Sequence, residues 1–184
     1  MAQSYLLIYA MIVGLLLPGC APRQPLVQPP GLEGHLAESP KILKYGAVNR
    51  LQQGQTWRVF MAAEDPNGDM EEIIFELHQP GQGTYDDTRR LKGDHTKAFS
   101  GYFYLNTPFA MSEGLWGYTL TLTFRIRDKV GLSSEIVSLP VKFVGARVDQ
   151  PVPAGFTEAE VRSLGAIRIQ IYREDKREGL GWAF

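Results

Sequence analysis

The chain has 184 residues, with 19 basic and 20 acidic side chains and a formal net charge of -1. That balance argues against a general nucleic-acid binder, which carries a basic surplus to neutralise phosphates. Hydrophobic residues make up 44 %, an ordinary globular value, and the single cysteine, Cys20, excludes both an intrachain disulfide and a thiolate metal cluster.

The chain opens with "MAQSYLLIYAMIVGLLLPGCAP". Its apolar run over residues 5–17 has the length of a signal h-region and falls short of the roughly 20 residues that a spanning helix needs. "LPGC", residues 17–20, resembles the bacterial lipoprotein lipobox. The resemblance implies a signal peptide over residues 1–19, cleavage before Cys20 and diacylation of that cysteine. A second acyl chain on the new amino terminus would make anchoring stable, because one chain binds a membrane only marginally. Ala21 stands where the enteric inner-membrane pattern has Asp, so the pattern implies the outer membrane. Residues 20–39 are rich in Pro and lack apolar periodicity, which predicts an extended tether in which His35 is solvated.

Beyond the tether the dominant signal is alternation. "GYTLTLTFRIRD" places Tyr118, Leu120, Leu122, Phe124 and Ile126 on one face, against threonines and arginines on the other. "MEEIIFELHQ", "AFSGYFYLNT" and "EIVSLPVKFVG" alternate in the same way, with Pro140 suggesting an edge. In "TWRVFMAAED" both faces are apolar, and Trp57 is assigned to the core. With "PKILKYGAV" these segments predict an all-β fold over residues 40–145: an Ig-like antiparallel β-sandwich of about seven strands. Neither βαβ spacing nor a glycine-rich phosphate loop is present. The segments "WRVFMAAEDPNGDMEEIIFEL" and "YTLTLTFRIRDKVGLSSEIVSLPVKF" resemble the bacterial Ig-like, cadherin-like and PKD-like domains. Asp128, Gly131 and Ser133 match the second signature of that group.

Residues 146–184 read as a short helix-strand extension. Thr157 and Glu160 have capping-box spacing, and Gly165 is placed to close a helix. Ile167, Ile169 and Ile171 then alternate against Arg168, Gln170 and Tyr172, as in one more strand.

The stretch "AAEDPNGDMEEIIFEL" carries Asp65, Asn67 and Asp69 at alternate positions. As an EF-hand loop it would need glycine where Met70 stands, and helices where strands flank it. Two readings remain open. Asp65, Asn67 and Asp69, completed by Asp128 from a second loop, form a calcium site, as the resemblance to cadherin-like domains implies. Alternatively, Pro66, Asn67 and Gly68 make a tight turn that Asp65 caps. Asp86, Asp87, Asp94 and His95 lie in a mixed-charge run read as a solvated loop, and His35, His78 and His95 lack ligand spacing. No nucleophile elbow or acid–base constellation appears, so the chain is read as non-catalytic. Tyr102, Tyr104 and Trp116 are candidates for an exposed aromatic platform that binds a sugar or partner, or else for packing beneath neighbouring segments. The expected role is a lipid-anchored envelope protein whose sandwich contacts a partner protein of an envelope assembly. The alternative is a surface module for carbohydrate or another ligand, with calcium as its one candidate cofactor.

Overall fold

A computed structural model of the protein describes residues 38–109 and 115–172. The signal sequence, Cys20, His35 and the end of the chain after Tyr172 lie outside the described residues.

Among the described residues nine strands form two packed sheets. They are β1 (Lys41–Ala47), β2 (Arg50–Gln52), β3 (Thr56–Glu64), β4 (Met70–Gln79), β5 (Gly83–Arg90), β6 (Ala98–Asn106), β7 (Thr119–Asp128), β8 (Val137–Val144) and β9 (Ser163–Ile167). The first sheet has the order β1-β3-β6-β9 and the second β2-β8-β7-β4-β5. Val48 and Asn49 carry the chain from one sheet to the other, and the Trp57 indole N–H donates to Val48 O at 2.9 Å there.

The alternating segments become strands whose apolar positions face the partner sheet. In β7, Leu120, Leu122, Phe124 and Ile126 are buried while the threonines between them are half-exposed. Ile73, Phe75 and Leu77 of β4 and Phe99, Phe103 and Leu105 of β6 meet them in one core, which Trp57, Val59 and Met61 of β3 complete. Phe75 packs on Phe103 across the sheets with ring centroids 5.2 Å apart. Pro140 lies opposite Thr121 of β7, and β2 pairs with residues 142–144 of β8, so among the described residues the proline's other side has no strand.

Three departures from the sequence reading have physical causes. The sandwich is not purely antiparallel: β2 pairs with β8, and β9 with β6, in parallel. A parallel pair needs a long connection: residues 107–162 lie between β6 and β9, and the last of them, 145–162, cross the outer face of the first sheet before β9. Next, the first part of the mixed-charge run, with Asp86 and Asp87, is not a loop but edge strand β5, paired with β4 from Glu72↔Arg90 to Gln79↔Gly83, while Asp94 and His95 follow it in a 3-10 turn. Its inward positions are Tyr85, Asp87 and Arg89, so alternation is present without being apolar.

Finally, the described residues of the extension hold no α-helix. Thr157 and Glu160 do form the capping box, but around a single 3-10 turn, Glu158–Glu160. So short a helix cannot stand alone in water. The chain instead turns into the sheet: Tyr102 N donates to Arg162 O at 2.9 Å. A Cβ on Gly101 would sit 2.4 Å from Arg162 O, so only glycine allows this approach. Gly165 lies within β9 at φ +130° rather than closing a helix.

The crossing segment, here the strap, explains the two apolar faces of β3. Phe60 points away from the inter-sheet core yet is only 1 % exposed. Phe156 of the strap covers it at 5.6 Å and Tyr102 flanks it at 5.5 Å. Lys44 reaches out from β1 to Glu160 at 2.6 Å and lies over the Phe156 ring. Ile167 at the end of β9, and Ile169 and Ile171 beyond it, are buried in the main core, so the chain up to residue 171 is part of the sandwich.

Candidate functional site

The two acidic turns come to one end of the sandwich. Met70 is the register partner of Asp128, and Lys129 N donates to Asp69 O at 3.2 Å. Asp65 is buried and accepts from Asn67 N at 3.0 Å and Asp69 N at 3.2 Å, while Gly68 N bonds back to Asp65 O. Gly68 has φ +71°, the conformation a residue with a Cβ avoids at this turn. Asp128, equally buried, accepts from Val130 N at 3.0 Å and Leu132 N at 2.8 Å. Each carboxylate therefore organises its own turn. Asn67 is exposed at the tip.

Two buried oxygens are left without partners, Asp69 Oδ1 and Asp128 Oδ2. The Asp69 carboxyl is raised above its ordinary value, first by burial, then by its hydrogen bond with Asp65 and by the charges of Asp65 and Asp128; Lys129 pulls the other way. A proton on Asp69 relieves that crowding, and so would a cation. Calcium takes six to eight oxygens. Among the described residues, no three His, Cys, Asp or Glu side chains form a group that could hold a metal ion.

The aromatic candidates are divided between two clefts on either side of residues 147–149. Tyr102 and Tyr104, both half-buried, line a cleft of about 620 Å³ with Arg58, Asn106, Arg147 and Gln150. Arg58 is held there by hydrogen bonds to Gln150, and its guanidinium lies over the Tyr102 ring at 5.9 Å. Trp116, 78 % exposed, lines a second cleft of about 850 Å³ with Arg50, Lys142, Gly145 and Arg147. A single three-ring platform does not form. The strap determines both clefts, and the apolar outer face of β3 was the trace of its cover in the sequence.

The remaining candidates are dispersed. Asp87 accepts from Arg168 N at 2.8 Å and lies 3.1 Å from Arg89 Nε, so it is engaged within the fold. Asp86 is exposed on the other face of β5, and Asp94 sits in the 3-10 turn Gly93–Thr96. His78 contacts Thr84 at 3.3 Å and His95 stands beside Phe99.

The flank where β5 meets β9 is closed and the opposite flank is open. On the closed flank Arg89 donates to Ala166 O, Gln79 Nε2 donates to Gln170 O at 2.8 Å, and Tyr172 N donates to Gln79 Oε1 at 2.7 Å. On the open flank β1 pairs only with β3, with a register shift at Ile42/Lys44, and residues 137–141 of β8 have no outer partner among the described residues. Leu43, Tyr45 and Ile136 are more than half exposed there, although the Tyr45 ring still reaches Phe124 at 6.3 Å.

No family model and no curated protein matches the chain. Among solved structures, the PKD domain of an M14-like peptidase from the Thermoplasmatales archaeon SCGC AB-540-F20 overlaps 59 % of this chain and 98 % of its own, at 16 % identity and a TM-score of 0.39. Spo0M, a sporulation control protein from Bacillus subtilis, overlaps 59 % of this chain at 8 % identity and a TM-score of 0.37; the match spans about half of Spo0M, 51 %. Overlaps this slight carry no statement about function.

Proposed function

We propose that this chain is a non-catalytic, lipid-anchored envelope protein whose β-sandwich binds a partner protein through its open flank. The observation that carries the reading is the β1 edge, which has no outer partner among the described residues, with Leu43 and Tyr45 exposed beside it. Such an edge offers a row of backbone donors and acceptors to an extended strand of another chain, and the exposed apolar side chains would give that strand specificity. The lipobox at residues 17–20 supports attachment through Cys20 at the outer membrane, with the Pro-rich segment up to residue 39 as spacer. Detergent extraction followed by mass spectrometry of the co-migrating proteins should identify one reproducible partner, lost in Leu43→Lys. Co-migration that is indifferent to Leu43→Lys would refute the assignment of this edge. Palmitate incorporation should disappear in Cys20→Ala, and its persistence would remove the anchor.

A second reading, a module for carbohydrate or another ligand, is favoured by the way Tyr102, Tyr104 and Trp116 line clefts rather than core. Calcium would enter that reading through Asp69 Oδ1 and Asp128 Oδ2. The turn geometry favours no requirement for it, so millimolar calcium should leave the melting temperature unchanged. A rise that vanishes in both Asp69→Asn and Asp128→Asn would instead assign the two oxygens to the ion.

A further inference from the structure

We propose that the cleft beside Trp116 binds an anionic saccharide, with the indole under a sugar ring and Arg50, Lys142 and Arg147 holding its carboxylate, sulfate or phosphate groups. The inference rests on the ligand-binding reading above and specifies the ligand's chemistry.

The first observation is the charge. Arg50 and Lys142 are register partners on adjacent parallel strands, both exposed, while the next pair, Leu51 and Phe143, is buried. Like charges directly opposite on neighbouring strands repel, so this juxtaposition costs stability unless something negative lies over it. Arg147 adds a third cation along the same cleft, and among the described residues that line it Asp149 is the one acid. None of the ion pairs among the described residues uses Arg50, Lys142 or Arg147. In a chain of net charge -1, three cations in one cleft are not a by-product of general basicity.

The second observation is how Trp116 is held. Its neighbour Leu115 is buried, with its N–H donating to Gln53 Oε1 at 2.8 Å. Gly117 N donates to Phe143 O at 3.0 Å, and Tyr118 O accepts from Phe143 N at 2.8 Å. The backbone around the ring is thus fixed to β8 while the ring itself stays exposed. Glycines flank it. A Cβ on Gly145 would lie 3.8 Å from Trp116 Cδ1 and Nε1, and one on Gly117 would meet nothing within 4 Å. A large, rigid, exposed aromatic side chain with a polar N–H is an economical anchor, since little side-chain freedom is lost on binding.

The third observation is shape. The cations and the ring border a recess of about 850 Å³ between the ends of β2 and β8 and the start of the strap. A recess of this size suits a few sugar units better than a flat bilayer. Guanidinium groups suit planar or tetrahedral oxyanions through paired N–H donors.

The test uses the full-length chain in detergent and titrates tetragalacturonate, a heparin tetrasaccharide and fully methyl-esterified tetragalacturonate. The ester keeps the rings and removes the charge. At least one anionic probe should bind, and the matching neutral probe should bind at least about 10-fold more weakly, as expected for losing charge-assisted hydrogen bonds. Arg147→Gln and Lys142→Gln should each weaken binding about 5- to 10-fold, and Trp116→Ala should reduce it further. Arg147→Gln and Trp116→Ala are surface changes that should leave the melting temperature in place, and Lys142→Gln should hold or slightly raise it by relieving the repulsion with Arg50. Equal affinity for tetragalacturonate and its ester would overturn the charge assignment while leaving the ligand-binding reading. No binding of any oligosaccharide would overturn both. Binding only to vesicles containing phosphatidylglycerol, lost in Trp116→Ala, would overturn the saccharide and make the cleft a membrane contact.

Discussion

Along one flank of the sandwich, β5 and the chain after β9 are stitched together by side chains that satisfy backbone groups. Arg89 takes the Ala166 carbonyl, Asp87 the Arg168 amide, and the buried Gln79 both Gln170 O and Tyr172 N. Along the other flank β1 ends the first sheet with no further partner among the described residues, and exposed Leu43, Tyr45 and Ile136 remain beside it. Both flanks face the same problem, an edge of unpaired N–H and C=O groups. One solves it with charged and amide side chains; the other leaves the groups to solvent, with only the irregularity in β1 and the nearby Lys41 and Lys44 to discourage unwanted pairing. The comparison teaches that polar residues at inward positions can act as structural closures, and that apolar residues at an edge can be the surface left for another molecule.

The largest effect should come from the end of the closed flank. Ile169→Ala removes a core side chain that follows the last strand, and chemical denaturation should show a loss of about 2–4 kcal/mol. A loss below 0.5 kcal/mol would mean that this end is an appendage after all. Next, Asp87→Ala should cost about 1–3 kcal/mol, because it strips a partner from the Arg168 amide and leaves Arg89 unopposed. A cycle with Arg89→Met should show coupling between the two, whereas additive losses would deny that they act as one closure.

A smaller effect is expected from acid on the strap. Glu160 is held at about 2, first by the hydrogen bond from Lys44, then by the Thr157 backbone N–H and hydroxyl. Because this value lies below the ordinary carboxylate value, the stabilisation is complete above about 4.5 and fades as pH falls towards 2. Glu160→Gln should flatten that part of the stability profile, as read by tryptophan fluorescence across the acid range; an unchanged profile would deny the anchor its role. The smallest change in stability, within about 0.5 kcal/mol, is expected for Leu43→Lys on the open flank. A large destabilisation there would show the flank to be core rather than surface.

The elements legible in the sequence were those whose inward side chains are apolar. β4, β6, β7 and β8 declare themselves because Leu, Ile, Phe and Val recur every second residue. β5 did not, because its inward set is Tyr85, Asp87 and Arg89, which reads as a solvated loop until the chain after β9 is placed against it. The strap carries no periodicity at all; its only trace was on β3, where Phe60 and Ala62 face outward and still need cover. For the candidate sites, the sequence left open whether the two acidic turns share a cation or Asp65 caps its own turn, and it held no sign that Asp128 also accepts from its own backbone. The cleft beside Trp116 was half visible, as an aromatic residue. Its cations come from residues 50, 142 and 147, brought together only by the parallel pairing of β2 with β8.

The order in which the chain is laid down has a consequence for how it matures. Ile167, Ile169 and Ile171 fill the core from the far end of the sequence, and β9 pairs with β6 some sixty positions earlier. Contacts that distant form late and slowly. A chain emerging amino terminus first, from a ribosome or through a narrow channel, therefore stays open along β6 and β5 until residue 171 is free. Closure of this flank is timed by the release of the three isoleucines.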